Sequence, residues 1–180
     1  MWDPITDDQQ HVPLPPYSNT NYTGAVICAV PGCDHLDCTS GPFLVVFVGT
    51  DDEGASTWAS VYSSKTRGWS TRKNANLSAS TYVGLQYYIE TKPSVLIGDI
   101  LYYKFEQEVG ILKYDLAGHS LTVVDVPEVD GHLCIVMAAE DGGLGFANIE
   151  RDDLQLWSWL TSDGSTVGWK LRTSESPSVS

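Results

Sequence analysis

The chain has 180 residues, of which 42% are hydrophobic and 18% are charged, and its 10 basic and 23 acidic residues give a net charge of −13. This apolar content is sufficient for one packed domain and excludes a chain that is disordered by composition. The negative charge argues against binding to nucleic acid or to an anionic membrane surface, because both contacts require a basic patch.

No segment of the sequence predicts membrane insertion or export. The apolar runs fall short of the roughly 20 residues that a membrane-spanning helix needs. Residues 1–20 lack the basic start and apolar core of a signal peptide. We therefore expect a cytoplasmic or nuclear protein with reduced cysteines.

The first third of the chain predicts strands rather than helices. Residues 7–24 are polar and rich in proline, and within them residues 12–14 are predicted as a short edge strand that a Pro-Pro pair terminates. Residues 42–48, PFLVVFV, are apolar at odd and even positions, which predicts a strand buried on both faces. Residues 58–63 are of mixed polarity, as expected for a strand nearer an edge, and residues 71–81 predict a loop.

Two β-hairpins are predicted further along the chain. Residues 95–103 contain Gly98-Asp99 between two apolar runs, and Gly98 can supply the positive φ of a two-residue turn. Residues 135–139 and 144–149 flank a longer turn with the sequence EDGG. Both patterns are typical of antiparallel sheets.

A weak internal repeat underlies these elements. In segments 61–69 and 112–121 an aromatic strand residue is followed by a polar turn and a return strand. These units recur at irregular intervals along the chain, which is typical of β-propeller blades. Each blade is a four-stranded antiparallel sheet that buries its faces against neighbouring copies. A β-sandwich without a repeat is the alternative. The predicted aromatic anchors between sheets are Trp2, Tyr62, Tyr114 and Trp157, and the predicted turn acceptors are Asp3, Ser63 and Asp115.

The four cysteines do not predict a metal site. Cys33 and Cys38 have His35 between them, but no second Cys/His pair follows at the spacing of a zinc finger. A loop between strands is the expected structure of this segment. Cys28 is left without a specific role, and Cys134 lies in an apolar run and is predicted to be a core residue.

The sequence predicts no enzyme: no catalytic residue, no cofactor-binding residue and no metal ligand. The motifs G-x-S-x-G and H-E-x-x-H are absent. Adjacent acidic pairs such as Asp152-Asp153 favour solvated turns rather than catalytic carboxylates facing each other across a cleft. The histidines lie in scattered turn-like segments, and the one at position 119 is expected to be an exposed turn residue; they are His11, His35, His119 and His132.

Several motifs together point to a known family. Residues 2–6 are WDPIT, residues 12–16 are VPLPP and residues 110–116 are GILKYDL. With further segments in the same order, they resemble the plant F-box-associated β-propeller family, especially its grass branch, over residues 2 to about 172. The further segments are 24–29, 42–49, 61–69, 95–102, 138–147 and 154–157.

The resemblance implies an all-β partial propeller of about three blades plus part of another, each a four-stranded antiparallel sheet. It implies one domain over residues 1–172, followed by a disordered tail at 173–180. In this family the propeller is a protein–protein interaction domain that holds the protein to be ubiquitinated. An F-box binds the Skp-type adaptor of the cullin ubiquitin ligase. No F-box precedes Met1 in this sequence, so contact with that adaptor is expected only if an F-box is present elsewhere.

A partial propeller has a physical consequence. Its terminal sheets expose apolar faces, which a closed ring covers with its own first blade. We therefore expect the chain to self-associate or to be completed by another chain. A truncated, non-functional paralogue is one alternative. A propeller-type hydrolase or sugar-binding domain is another, and it requires carboxylates or histidines that converge on one cleft.

The predicted binding surface consists of loops at one end of the blades, because loops on a rigid scaffold vary freely. The predicted partner is a protein, and the acidic charge of the chain favours a partner with a basic patch. The candidate loops are 31–41, 49–57, 104–109 and 160–167.

Overall fold

The computed structural model describes residues 7, 9–16, 21–30, 41–51, 54, 56–75, 88–106, 110–129, 133–162 and 165–175. Within these residues every regular element is a β-strand, and the strands form three antiparallel sheets that follow one another along the chain. We call them sheets I, II and III. The predicted all-β fold of about three blades is confirmed.

Sheet I has a fourth strand that is interrupted. It contains β1 (Asn21–Cys28), β2 (Phe43–Thr50), β3 (Thr57–Ser63), β4 (Gly68–Trp69) and β5 (Lys73–Asn74). β4 and β5 both pair with β3, so they occupy one edge as a single broken strand. Ser70 bridges the break, because its N–H donates to Val61 O at 2.7 Å and its carbonyl accepts from Ser60 Oγ at 2.9 Å. The predicted loop 71–81 thus contains β5, and residues 76–81 lie outside the described residues.

Sheets II and III have four continuous strands each. Sheet II contains β6 (Val95–Ile97), β7 (Ile100–Lys104), β8 (Ile111–Asp115) and β9 (Ser120–Val124). Sheet III contains β10 (Leu133–Ala138), β11 (Leu144–Glu150), β12 (Asp153–Ser162) and β13 (Ser165–Glu175). Each strand pairs with the next one along the chain, which is the strand order of a propeller blade. β13 includes residues 173–175 of the segment predicted as a tail, and residues 176–180 lie outside the described residues.

The central strands of sheet I differ from each other in how well their sequence predicts burial. β2 buries Val46 and Val48 on one face and Phe43 on the other, as predicted. The edge assignment of residues 58–63 is wrong, because β3 pairs on both sides and is almost entirely buried. Its mixed polarity is misleading, since the hydroxyl of Ser60 is satisfied inside the sheet and its burial is therefore inexpensive.

The three sheets stack face to face in chain order. Val46 and Val48 of sheet I belong to one buried cluster with Tyr114 of sheet II. On the opposite side of sheet II, Ile111 belongs to a second cluster with Phe146 of sheet III. Sheet II is therefore covered on both faces. This succession of three sheets differs from the two-sheet sandwich that was the alternative.

Strand register identifies the aromatic anchor of each sheet. An aromatic residue on the third strand pairs with a large apolar residue on the fourth strand. The pairs are Tyr62–Trp69, Tyr114–Leu121 and Trp159–Trp169. By this register the equivalent residue of sheet III is Trp159, and the predicted anchor Trp157 packs beside it between sheets II and III. The hairpin of β12 and β13 is longer than its counterparts and its register shifts twice, so spacing alone does not separate the two tryptophans. The predicted anchor Trp2 and acceptor Asp3 lie outside the described residues.

Equivalent tryptophans fasten the segments that lead into sheets I and III. Trp69 Nε1 donates to Pro13 O at 2.9 Å, and Trp169 Nε1 donates to Asp125 O at 2.6 Å. A buried proline follows each acceptor by two positions. Residues 12–14 therefore run as an irregular connection bound through its backbone, and the edge strand predicted for them is wrong.

The predicted hairpin turns are confirmed. Gly98 has a φ of 56° in the two-residue turn between β6 and β7. Gly142 has a φ of 77° in the longer turn between β10 and β11. Asp115 acts as the predicted turn acceptor, because its Oδ1 accepts from the N–H of Ala117 at 2.9 Å and of Gly118 at 3.0 Å.

The ring of Phe146 should contribute strongly to stability, since it is fully buried between sheets II and III. Phe146→Ala is expected to lower the free energy of unfolding by about 3–5 kcal/mol. Leu14→Ala is the matched control, because the Leu14 side chain is 73% exposed and its loss should cost less than about 0.5 kcal/mol. Urea unfolding followed by tryptophan fluorescence measures both. Equal losses would contradict the packing of sheet III on sheet II.

Buried tyrosines should make the fold sensitive to alkaline pH. Burial, with a smaller contribution from Asp115, raises the pKa of Tyr114 to about 12, and burial also raises the pKa of Tyr103. The folded state therefore favours the neutral phenols. Their contribution to stability is complete below the ordinary tyrosine pKa near 10 and is lost as the pH rises from 10 towards 12.

Urea midpoints measured between pH 8 and about pH 12 test this expectation. The wild-type chain should lose stability above the ordinary tyrosine pKa, and the double variant Tyr103→Phe, Tyr114→Phe should lose clearly less. The comparison uses each protein's own value at pH 8 as the reference, because Tyr114 Oη also bonds His119 Nδ1 at 3.0 Å. If the urea midpoints of the two proteins fell equally with rising pH, these phenols would not control the loss of stability at alkaline pH.

Candidate functional site

A cavity of 310 Å³ opens on the outer face of sheet III, next to the β10–β11 turn. Strand register places Met137, Gly145 and Ser158 side by side on this face. Leu156 adds a second apolar side chain, and Arg172 stands at the rim. The cavity thus has a mainly apolar wall with charge at its border, which suits the binding of a side chain.

Gly145 determines the shape of the cavity. A Cβ at this position would lie 3.2 Å from Ala139 N and 3.3 Å from Ala139 Cα, which is tighter than ordinary contact. The missing side chain therefore lets the β10–β11 turn fold closely over the strand. The turn backbone and the apolar sheet face meet at this point.

The charged rim of the cavity is held by Asp141. Its Oδ2 accepts from Arg172 Nη2 at 3.2 Å, and its Oδ1 accepts from Gly143 N–H at 3.0 Å. The Arg172 and Asp141 side chains are 42% and 53% exposed, so solvent screens the ion pair and its contribution to stability is small. Glu140 is exposed beside them and leaves the rim with a net negative charge.

A second candidate surface lies at one end of the stacked sheets. We call it the linker end, and it carries residues 105–106, 125–129 and 151–152. Lys104 Nζ lies 3.3 Å from Cys134 Sγ, a contact that brings this end of sheets II and III together. The exposed acidic side chains of the linker end are Glu106, Asp125, Glu128 and Asp152.

The basic groups near the linker end are mostly engaged. Lys92 Nζ lies 2.7 Å from Glu90 Oε1, and Lys104 Nζ lies 3.8 Å from the same oxygen. Glu90 raises the pKa of Lys92 through a hydrogen bond and its charge. Arg151 is exposed but stands between acidic neighbours in the chain. The linker end of sheets II and III therefore presents a negative surface.

His119 and Cys134 belong to different sheets in the described part of the chain. His119 is an exposed turn residue with a φ of 47°, as predicted, and its Nδ1 contacts Tyr114 Oη at 3.0 Å. Cys134 is 3% exposed, as expected of a core residue, and is not accessible to a substrate. Within the described part of the chain, no cluster of His, Cys, Asp and Glu could hold a metal ion. Cys33, His35, Cys38 and His132 lie outside it.

The structure divides the predicted binding loops between two ends. Because neighbouring strands are antiparallel, the strand ends that join β1 to β2 and β12 to β13 lie opposite the linker end. The turns from β2 to β3 and from β7 to β8 lie at the linker end. The expectation that loops 31–41, 49–57, 104–109 and 160–167 share one end is therefore wrong. Residues 31–40 are outside the described residues.

The comparison with known proteins identifies the family of the chain. A family model described as F-box protein AT5G49610-like, beta-propeller, matches residues 2–174. The chain belongs to this family. Membership confirms the resemblance to plant F-box-associated propellers and agrees with a role in protein interaction. No curated protein matches the chain.

Among the residues with a defined structure, no helix is long and apolar enough to cross a bilayer.

Two variants of Asp141 should separate its two contacts. Asp141→Asn keeps an acceptor for Gly143 N–H and loses the ion pair with Arg172, so the free energy of unfolding should change by less than about 0.5 kcal/mol. Asp141→Ala loses both contacts and should cost about 1 kcal/mol. Thermal and urea unfolding measure the difference. An equal and larger loss for both variants would show that the ion pair, not the turn bond, holds the rim.

Proposed function

We propose that the chain is a protein-binding domain that recognises substrates for an F-box-type ubiquitin ligase. The observation that carries the proposal is the match of residues 2–174 to the propeller domain of an F-box protein family. In such ligases the propeller holds the protein to be modified. The proposal requires an F-box to connect the domain with a Skp-type adaptor, and it assigns no residue described above to that contact.

The linker end is the surface that we assign to the bound protein. Its turns and connections project from three stacked sheets, whose cores fix their ends in place. Segments on such a scaffold can bind without first being ordered, so little conformational entropy is lost on association. The sheet faces, by contrast, are flat apolar surfaces of the kind that covers another sheet.

Charge defines the class of partner. The chain carries a net charge of −13, and exposed carboxylates at Glu106, Asp125, Glu128 and Asp152 concentrate part of it at the linker end. A partner with a basic surface is attracted to this end, and the attraction raises the association rate and weakens with salt. We therefore propose a basic protein segment as the ligand.

Charge reversal at the linker end tests the assignment. Crosslinking in extracts of source cells identifies bound proteins, and each one is then purified and titrated against the chain. Asp125→Lys with Glu128→Lys should weaken binding by about tenfold or more and reduce its salt dependence. Asp99→Lys with Glu140→Lys is the matched control, because both carboxylates are exposed at the opposite end of the sheets.

Two outcomes would contradict the proposal. If both double variants weaken binding equally, the linker end is not the binding surface. If no purified protein binds with a defined stoichiometry, the domain is not a receptor. The ligase role is tested separately by fusing the chain to an F-box in a reconstituted cullin system. Binding without ubiquitin transfer to the bound protein would limit the function to binding alone.

A further inference from the structure

Charge is distributed unevenly along this acidic chain. Residues 54–89 contain four basic residues and neither Asp nor Glu, whereas the whole chain has 10 basic and 23 acidic residues. The rest of the chain therefore holds 6 basic and 23 acidic residues, a net charge of −17. Such an asymmetry between segments indicates a surface for a charged partner.

The four basic residues follow the outer edge of sheet I. Lys65 and Arg67 lie in the turn from β3 to β4, Arg72 precedes β5, and Lys73 is its first residue. Among the described strands, β4 and β5 pair only with β3, so they form an edge of the sheet. We call these four residues the basic stripe. From Arg67 to Lys73 the chain spans about 20 Å, at roughly 3.3 Å per residue.

Three side chains of the basic stripe are exposed cations without a carboxylate partner. Lys65, Arg67 and Lys73 are all exposed. The ion pairs found among the described residues all involve other cations. Like charges this close along one edge repel each other, and an anionic ligand would relieve the repulsion.

The backbone that carries the basic stripe is fixed at both ends. In the β3–β4 turn, Arg67 N–H donates to Ser63 O at 2.8 Å. Just after β5, Ala75 N–H donates to Thr57 O at 2.7 Å. The charges therefore project from a rigid edge, and little backbone entropy is lost when a ligand binds.

Arg72 is held in place on the sheet. Its guanidinium carbon lies 5.2 Å from the centre of the Trp58 ring, and its Nε donates to Asn74 Oδ1 at 2.8 Å. A guanidinium that packs on an aromatic ring keeps its charge while its position is set. Arg72 thus contributes a fixed positive field, and the three exposed side chains can move to contact a ligand.

We propose that the basic stripe binds an acidic segment of another protein. Cations along about 20 Å match a run of carboxylates in an extended segment, in which alternate side chains lie about 7 Å apart on one side. The linker end has the opposite charge and takes the basic segment proposed above. The two surfaces therefore bind different ligands, and either proposal can fail without the other.

The charge of the whole chain favours a short acidic segment over a nucleic acid. A nucleic acid carries phosphates along its entire length, and the phosphates beyond the basic stripe would meet the strongly acidic remainder of the chain. The carboxylates of a protein segment can be confined to the length of the stripe. A protein ligand thus gains the attraction without the repulsion.

Fluorescence anisotropy with a defined acidic probe tests the proposal. The probe is a rhodamine-labelled peptide of alternating Glu and Ser, about ten residues long, which exceeds the length of the basic stripe. It should bind the wild-type chain, and binding should weaken with salt. The triple variant Lys65→Gln, Arg67→Asn, Lys73→Gln should weaken binding by about tenfold or more, because it removes three charge contacts. Asn suits position 67, where φ is 54°.

A second triple variant is the matched control. Lys92→Gln, Arg151→Asn, Lys170→Gln makes the same changes at exposed positions outside the basic stripe, and Arg151 also has a left-handed φ, of 59°. Each triple variant removes three positive charges and takes the net charge from −13 to −16. The control should bind the probe as the wild-type chain does. Circular dichroism and urea midpoints check that both variants keep the fold.

Several results would overturn the proposal. Equal weakening in the two triple variants would show that net charge, not the basic stripe, attracts the probe. A wild-type chain that does not bind the probe at low salt, or that binds a Gln-Ser peptide equally well, would show that the stripe has no acidic ligand. Tighter, stripe-dependent binding of an oligothymidylate with the same number of charges would assign the stripe to a nucleic acid. Self-association that the stripe variant abolishes would make a second copy of the chain the ligand.

Discussion

Each sheet of this domain has two apolar faces, and this constraint determines the rest of the structure. A four-stranded sheet that is polar on one side can end a stack, but β2 has valines on one side and Phe43 and Phe47 on the other. Such a sheet is stable in water only between two neighbours. Sheet II meets the condition within the chain, and its two interfaces supply the buried clusters that hold the domain together.

Local patterns were sufficient to predict the strand class, the hairpins and the stacking of repeated sheets. The turn at Gly98 and the acceptor role of Asp115 follow from residue chemistry over a few positions. Burial of β3 and the register position of Trp159 did not follow, because both depend on how whole strands pair rather than on residue type over a few positions. In the sequence Ser60 indicates a partly exposed strand. Its burial is explained only by the structure, in which its hydroxyl donates to Ser70 O.

The candidate sites were harder to predict than the fold for the same reason. The cavity combines Gly145 with Arg172, which only the pairing of three strands brings to one face. The linker end gathers acidic residues from separate turns and from a connection between sheets. From the sequence alone, Asp125 and Asp152 are predicted to be solvated charges. Their spacing in the chain does not predict that they lie at the same end of the sheets. Antiparallel topology, rather than any motif, assigns loops to the two ends.

Aromatic rings are divided unevenly between the two faces of sheet II, since Tyr103 and Tyr114 face sheet I and Tyr102 faces sheet III, and this asymmetry gives the stack a direction. If both faces of every sheet were aliphatic, sheets could meet in several orders, and packing alone would select weakly among them. Rings such as that of Trp169 pack against apolar side chains, and the indole N–H also needs a polar partner. Asp125 O accepts this hydrogen bond between sheets II and III. The equivalent bond from Trp69 to Pro13 O shows that the leading segment of sheet I is built in the same way. The leading segment therefore lies on the aromatic face of sheet I, where Phe43, Trp58 and Tyr62 are buried.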